Sequence, residues 1–232
     1  KSLLNSVQAQ VRAAEIAKLH PPFATPEILE RRFRQLFGKG WYGVKSGKKK
    51  NNGGKAVNLF TEYRTDLGGI DSKAVQERQP DPSGQSELVV DFMAHDIGRL
   101  VAQEFSAPPA QRHLFKAMPF VKFLQPPANP ITKVADPAVE NLYRQQLSRI
   151  HRLACGKYHS PNSPEIDAAL IRWKQLWLEG LESPSFPLNL TPNHQVTGSN
   201  VVQDEVVSDN NLLIRTWTAY LSFIMQTNDF RG

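Results

Sequence analysis

Apolar residues recur at the three- and four-residue spacing of a helix face along most of this chain. Three such stretches open with a capping residue followed by proline, at Thr25-Pro26, Asp136-Pro137 and Ser163-Pro164. A short polar side chain at the cap and a proline in the first turn together mark the start of a helix. We therefore expect helices from residue 26 to Gly38, from residue 137 to about residue 155, and from residue 164 onward.

The same periodicity predicts four more helical segments. They cover residues 2–19, residues 86–105, a helix divided at Pro119 over residues 115–124, and residues 210–226. The last of these is apolar on several sides, which is typical of a central, buried helix. Core spacing also places Trp173, Trp177 and Trp217 in the interior. The predicted fold class is mainly α, with a helical bundle-like body.

One segment is predicted to be β. An Asn- and Gly-rich loop is flanked by two aromatic or β-branched runs, Trp41–Val44 and Ala56–Phe60. This pattern predicts one hairpin with a long tip that projects from the helical body. Residues 182–208 form the longest irregular segment, in which we expect only a short strand over Val201–Val207.

Composition limits the class of protein. With 232 residues, 40% of them hydrophobic, the chain can bury a sizeable core and is too apolar for a disordered protein. Its single cysteine excludes an internal disulfide, which favours a reducing, intracellular compartment. We expect no transmembrane helix, because no apolar run reaches the roughly 18 to 20 residues that would span a membrane.

The net charge of +6 is unevenly distributed along the chain. Residues 1–64 carry 13 basic and 4 acidic side chains, whereas residues 161–232 carry 4 basic and 8 acidic ones. This separation indicates a polyanionic partner at one end, although a soluble surface also needs net charge. We divide the chain into a basic helix-helix-hairpin module over 1–64 and a helical body over 65–232, with one continuous domain as the alternative.

The lysine-rich tip of the predicted hairpin is the main functional candidate. It carries five lysines and no acidic residue: Lys45, Lys48, Lys49, Lys50 and Lys55. Ammonium groups on a flexible loop can follow a phosphate backbone and release its counterions. Nearby side chains would widen this surface or, if exposed, stack on bases: Arg31, Arg32, Arg34, Trp41 and Tyr42. A helix followed by a basic hairpin resembles the general layout of winged-helix DNA-binding modules, a resemblance confined to this segment.

From these features we expect a non-enzymatic nucleic-acid-binding component of a larger nucleoprotein assembly. We expect no cofactor, and both DNA and RNA remain open as ligands. Two other interpretations of the tip are a solvated loop that keeps the protein soluble and a contact to an acidic protein. The main alternative function is a structural or adaptor subunit whose basic and acidic ends meet neighbouring proteins.

One string of residues is typical of an enzyme. Ala94-His95-Asp96-Ile97-Gly98-Arg99 resembles the His-Asp-Ile-Gly signature of HD-domain metal phosphohydrolases, in which the adjacent His and Asp bind a divalent metal. That family also needs an earlier His and a later Asp, whereas the nearest upstream histidine is the distant His20 and Asp136 has the position of a helix cap. The resemblance implies a diverged phosphohydrolase as the less favoured alternative, and a solvated helix face is the other interpretation.

Two further clusters contain groups that can bind a cation. His151, Cys155 and His159 are spaced four residues apart, but Gly156 predicts a helix end before His159 and no second cysteine completes a common zinc pattern. The acidic residues Asp204, Glu205 and Asp209 could attract a cation or a basic partner, but we interpret them as part of a solvated loop. We expect no metal site at either cluster.

Overall fold

The computed structural model describes residues 24–45, 55–67, 69, 84–116, 118, 126–127, 136–182, 189–190, 195–197, 200–202, 207–209, 212–227 and 230. Four sequence predictions lie outside these residues: the helix over 2–19, most of the helix divided at Pro119, the hairpin-tip lysines 48–50, and Asp204 and Glu205 of the acidic cluster. Within the described residues, the mainly α fold with a small antiparallel hairpin is confirmed.

Six helices and six short strands make up the described part of the chain. The helices are α1 (Pro26–Phe37), α2 (Leu59–Glu62), α3 (Gly84–Ser106), α4 (Pro137–Cys155), α5 (Pro164–Glu182) and α6 (Leu213–Gln226), with a 3-10 turn at Pro109–Gln111. The strands are β1 (Tyr42–Lys45), β2 (Lys55–Asn58), β3 (Asn189–Leu190), β4 (Gln195–Thr197), β5 (Asn200–Val202) and β6 (Val207–Ser208). Among these helices, none combines the length and the apolar character required to cross a bilayer.

Local sequence signals begin and end the helices as predicted. At the start of α1, the hydroxyl oxygen of Thr25 accepts a hydrogen bond from the amide of Ile28 at 3.1 Å. The carboxylate of Asp136 accepts from two amides in the first turn of α4. Gly38 and Gly156 follow α1 and α4 with φ angles of 71° and 69°. Only glycine adopts this left-handed conformation at little steric cost, so both helices end where the sequence places a glycine.

The helical body is built around α6. This helix packs against both α3 and α5, while α5 packs on α4 and α4 packs on α1. The fully buried ring of Trp217 is stacked on Tyr143 at a centroid distance of 5.6 Å and meets Phe115 edge-on at 5.2 Å. Trp173 and Trp177 are also buried. The burial of the last helix and the core position of these tryptophans are thus confirmed.

The β structure is more extensive than the sequence analysis predicted. β1 and β2 form the expected hairpin, but β3 pairs with β6 and β4 pairs with β5 in the segment expected to be irregular. Where one short strand was expected over Val201–Val207, the structure has parts of two, because β5 ends at Val202 and Val207 begins β6. A signal for the β4–β5 pair was present: Gly198-Ser199 between two valine-containing runs is typical of a two-residue hairpin turn.

The start of α6 is formed differently from those of α1 and α4. Asp209 is only 3% exposed, and its two carboxylate oxygens accept from the amides of Ile214 at 2.9 Å and Arg215 at 3.1 Å. Between this acid and the helix, Leu212 adopts a left-handed φ of 57°. Asp209 therefore caps α6 from a buried position, and its assignment to a solvated loop was wrong.

Candidate nucleic-acid interface

The base of the β1–β2 hairpin is fixed by Trp41, the residue that precedes β1. Its side chain is 1% exposed, edge-on to Phe60 at 5.4 Å and stacked on Tyr63 at 5.8 Å. The indole Nε1 donates a hydrogen bond to Oδ2 of Asp96 on α3 at 2.7 Å. Stacking on bases required an exposed Trp41, so the structure excludes this residue from that role. Tyr42 is half-buried and keeps some accessible surface.

A second contact from α3 holds the next residue of the hairpin. The guanidinium of Arg99 donates to the carbonyl oxygen of Tyr42 at 3.2 Å. Asp96 and Arg99 lie one helical turn apart, so they occupy the same face of α3. This face of α3 therefore holds two consecutive residues: Asp96 accepts from Trp41, and Arg99 donates to Tyr42, the first residue of β1.

The other strand is held from α1 and α2. The amide nitrogen of Asn58, at the end of β2, donates to Glu30 on α1 at 2.9 Å, and its oxygen accepts from the amide of Phe60 at 3.0 Å. The amide of Leu59 then donates to the carbonyl of Trp41 at 2.9 Å, which closes the base of the hairpin. Both strands are thus attached to helices at this end.

The opposite end of the hairpin carries the lysines. The ladder begins with Tyr42 opposite Asn58, and its fourth residue pair is Lys45 of β1 opposite Lys55 of β2. The connecting segment, residues 46–54, contains Lys48, Lys49 and Lys50 and lies outside the described residues. Lys45 and Lys55 therefore lie at the end of the ladder away from the attached base, and the tip position of the three lysines between them stays a prediction.

The three arginines of α1 have different surroundings. Arg31 is exposed. Arg32 donates to the carbonyl of Phe230 near the end of the chain. Arg34 forms an ion pair with Glu30 at 2.7 Å, and the hydrogen bonds that Arg34 donates to Glu30 and, to a lesser degree, to Tyr42 raise its pKa. Among the three, Arg31 is thus the one whose surroundings best suit a bound anion.

Acidic side chains offset much of the positive charge of α1. A shallow depression of about 500 Å³ on this helix is lined by two acids, two arginines and one amide: Glu27, Glu30, Arg31, Arg34 and Gln35. Glu27 also forms an ion pair with Arg64 at 2.6 Å. Burial alone would raise the pKa of Glu30. Hydrogen bonds from Arg34 and Asn58 outweigh this effect and keep the pKa below its usual value. Both bases and acids therefore face any ligand that approaches α1.

Contacts cross the predicted boundary at residue 64. Besides the bonds to Trp41 and Tyr42, the imidazole Nε2 of His113 lies 2.9 Å from the carbonyl oxygen of Gln35. The side chain of Lys39 bonds to Gln103. The described parts of the basic module and the helical body therefore share an interface, and the division into 1–64 and 65–232 stays a prediction.

Two of the residues considered for metal binding, Asp96 and His151, have other partners in this fold. Asp96, the second residue of the phosphohydrolase-like pair, accepts the hydrogen bond from Trp41. Nε2 of His151 lies 2.9 Å from the hydroxyl of Tyr220, and α4 ends at Cys155, so His159 lies beyond the helix as predicted. In the described part of the chain, no three histidine, cysteine or acidic side chains converge in a metal-binding arrangement.

Comparison with known proteins adds no functional assignment, because no family model, curated protein or solved structure matches this chain.

Proposed function

We propose that this protein is a non-enzymatic, nucleic-acid-binding component of a larger nucleoprotein assembly, and that its lysine-rich hairpin contacts phosphates. The observation that carries the proposal is the hairpin register, in which Lys45 pairs with Lys55 at the end away from the attached base. Five lysines within eleven residues, with no acid among them, then form one positively charged element. Such an element binds phosphates chiefly through counterion release.

The contribution of α1 to this surface is smaller than the count of its arginines indicates. Glu27 and Glu30 lie beside Arg31 and Arg34, so the local charges largely cancel. We propose the hairpin as the principal contact and Arg31 as an accessory one. Trp41 has no part in base contact under this proposal, and Arg32 and Arg34 contribute less because each already has an intramolecular partner.

The test is the combined variant Lys48→Ala, Lys49→Ala and Lys50→Ala. Its affinity for both duplex DNA and single-stranded RNA of unrelated sequences should fall, and the slope of log K against log salt should decrease by about one for each lysine that contacts a phosphate. A matched control removes three exposed cations from the helical body, Lys116, Arg152 and Lys157. Equal effects of the two triple variants would indicate a general charge effect and would contradict a hairpin contact.

A second candidate function, a structural or adaptor subunit, is favoured by exposed apolar side chains on α3. Leu88 and Phe92, one turn apart, are 52% and 47% exposed. Large apolar side chains that share a surface are common at protein interfaces. Co-purification of a defined protein at fixed stoichiometry after nuclease treatment, together with unchanged nucleic-acid affinity in the hairpin variant, would favour this candidate.

A further inference from the structure

We infer that Trp41 and Asp96 form a lock that fixes the direction in which the basic hairpin projects, and that this lock strengthens nucleic-acid binding without contacting the ligand. The inference rests on the proposed function. It assigns to both residues the role of positioning residues, in place of the base-stacking and metal-binding roles that their sequence contexts indicated.

The need for such a lock follows from the size of the hairpin. Only four residue pairs join β1 and β2, and an isolated two-stranded ribbon is at best marginally stable in water. The direction of its tip therefore depends on what holds its base. At that base, the Trp41 ring contacts Phe60 of α2 and Tyr63, the residue after α2, and its indole donates the 2.7 Å bond to Asp96 of α3.

The chemistry of this bond makes it a strong connection. An indole N–H is a donor only, and Asp96 offers a carboxylate oxygen at a short distance, so the bond is assisted by the charge of the acceptor. Trp41 is buried, so its N–H would lack a water partner if Asp96 were removed. Losing the bond would leave the Arg99 bond to Tyr42 in place but would weaken the attachment to α3 and widen the range of angles that the hairpin can adopt.

A hairpin that is held in one direction loses less conformational freedom when it binds a ligand. Loosening the base should therefore weaken binding by roughly fivefold, the effect of about 1 kcal/mol of added ordering cost. The lysines themselves would be unchanged, so the number of phosphates contacted would stay the same. Affinity should fall at every salt concentration while the salt slope is preserved.

The experiment compares three α3 variants of the full chain by fluorescence anisotropy with labelled duplex DNA and single-stranded RNA. Asp96→Leu removes the acceptor, Asp96→Asn keeps an oxygen that can accept from the indole, and Asp91→Leu is the matched control. Asp91 lies on the same helix, where its carboxylate accepts a hydrogen bond from the side-chain amide of Gln226 on α6 at 3.2 Å. The control makes the same change in charge as Asp96→Leu, and this change by itself would favour anion binding.

We expect Asp96→Leu to bind about fivefold more weakly with an unchanged salt slope, Asp96→Asn to bind close to wild type, and Asp91→Leu to show no loss. Faster amide hydrogen exchange in β1 and β2 should accompany the loss. Trp41→Phe should add little to Asp96→Leu, because both remove the same bond. The inference is overturned if Asp96→Leu and Asp91→Leu bind alike.

Failure of this inference is distinguishable from failure of the proposed function. If the triple lysine variant loses affinity while Asp96→Leu does not, the hairpin binds nucleic acid without the lock. If the triple lysine variant binds as wild type does, the proposed function itself is contradicted. Thermal unfolding of Asp96→Leu and Asp91→Leu establishes that both variants are folded at the temperature of the binding assay.

Discussion

The buried cap of α6 gives a stability prediction with a definite sign. Replacing Asp209 with alanine removes the acceptor for the amides of Ile214 and Arg215, which lie 2.9 Å and 3.1 Å from its oxygens. Loss of a capping acceptor costs about 0.5–2 kcal/mol, and leaving a buried amide without a partner costs about 1–3 kcal/mol. Removing the buried charge offsets part of this, so we expect the free energy of unfolding to fall by about 2 kcal/mol.

The size of this loss should depend on pH. Burial raises the pKa of Asp209, although the amide hydrogen bonds and Arg215 act in the opposite direction. A raised pKa means that the folded protein holds the proton more tightly than the unfolded chain does. The contribution of Asp209 to stability is therefore complete below its unfolded pKa and declines as pH rises through its folded pKa. The difference between wild type and Asp209→Ala should be largest in acid and smaller at neutral pH.

The assay is urea unfolding followed by tryptophan fluorescence at a series of pH values. Asp209→Asn serves as the control, because it retains one acceptor oxygen but has no charge to titrate. The stability of Asp209→Asn should lie between those of wild type and Asp209→Ala. The difference in stability between the two variants should not vary with pH across the series. A wild-type advantage that grows as pH rises would refute the reasoning, since it would mean that hydrogen bonding outweighs burial at this carboxylate.

Three other predictions test the packing that positions the hairpin and the core. Gly38→Ala should destabilise the protein more than Gly156→Ala does. Both glycines have positive φ, but only at Gly38 would the new Cβ lie 2.6 Å from the His113 ring. Equal urea midpoints of the two variants would contradict this clash. Trp217→Ala should lower the free energy of unfolding by about 3–5 kcal/mol in the same assay, since this buried ring is at the centre of the aromatic core. Glu104→Ala should lower the free energy of unfolding by at least about 2 kcal/mol, because the Glu104 carboxylate accepts hydrogen bonds from three successive backbone amides. A smaller decrease would show that those amides find other partners.

The elements that the sequence predicted well are those specified by neighbouring residues. Thr25 and Asp136 each bond to amides within their own first turn, so a short stretch of sequence is enough to predict these helix starts. Gly38 and Gly156 end helices for an equally local reason, their tolerance of positive φ. Such signals depend on no distant part of the chain.

The features that the sequence analysis missed depend on distant contacts or on unusual spacing. Trp41 packs against Phe60 and Tyr63, and its hydrogen-bond partner Asp96 lies 55 residues later on α3; nothing near Trp41 in the sequence indicates these contacts. Asp209 caps a helix whose first turn begins four residues later, beyond the usual capping distance. The β4–β5 pair was missed for a different reason, since its Gly-Ser turn signal was present but its strands have only three residues each.

The structure also changes how the charge of the N-terminal quarter should be interpreted. A net charge of +9 over residues 1–64 indicates a broad basic surface if each cation is counted equally. In the fold, Arg34 pairs with Glu30 and Arg64 pairs with Glu27, so two cations on or beside α1 already face carboxylates. Ion pairs at exposed positions are weak, but they still lower the potential that a distant anion experiences. Under the proposed function, the five hairpin lysines, which have no acid among them in the sequence, therefore contribute more to polyanion binding than the arginines of α1 do.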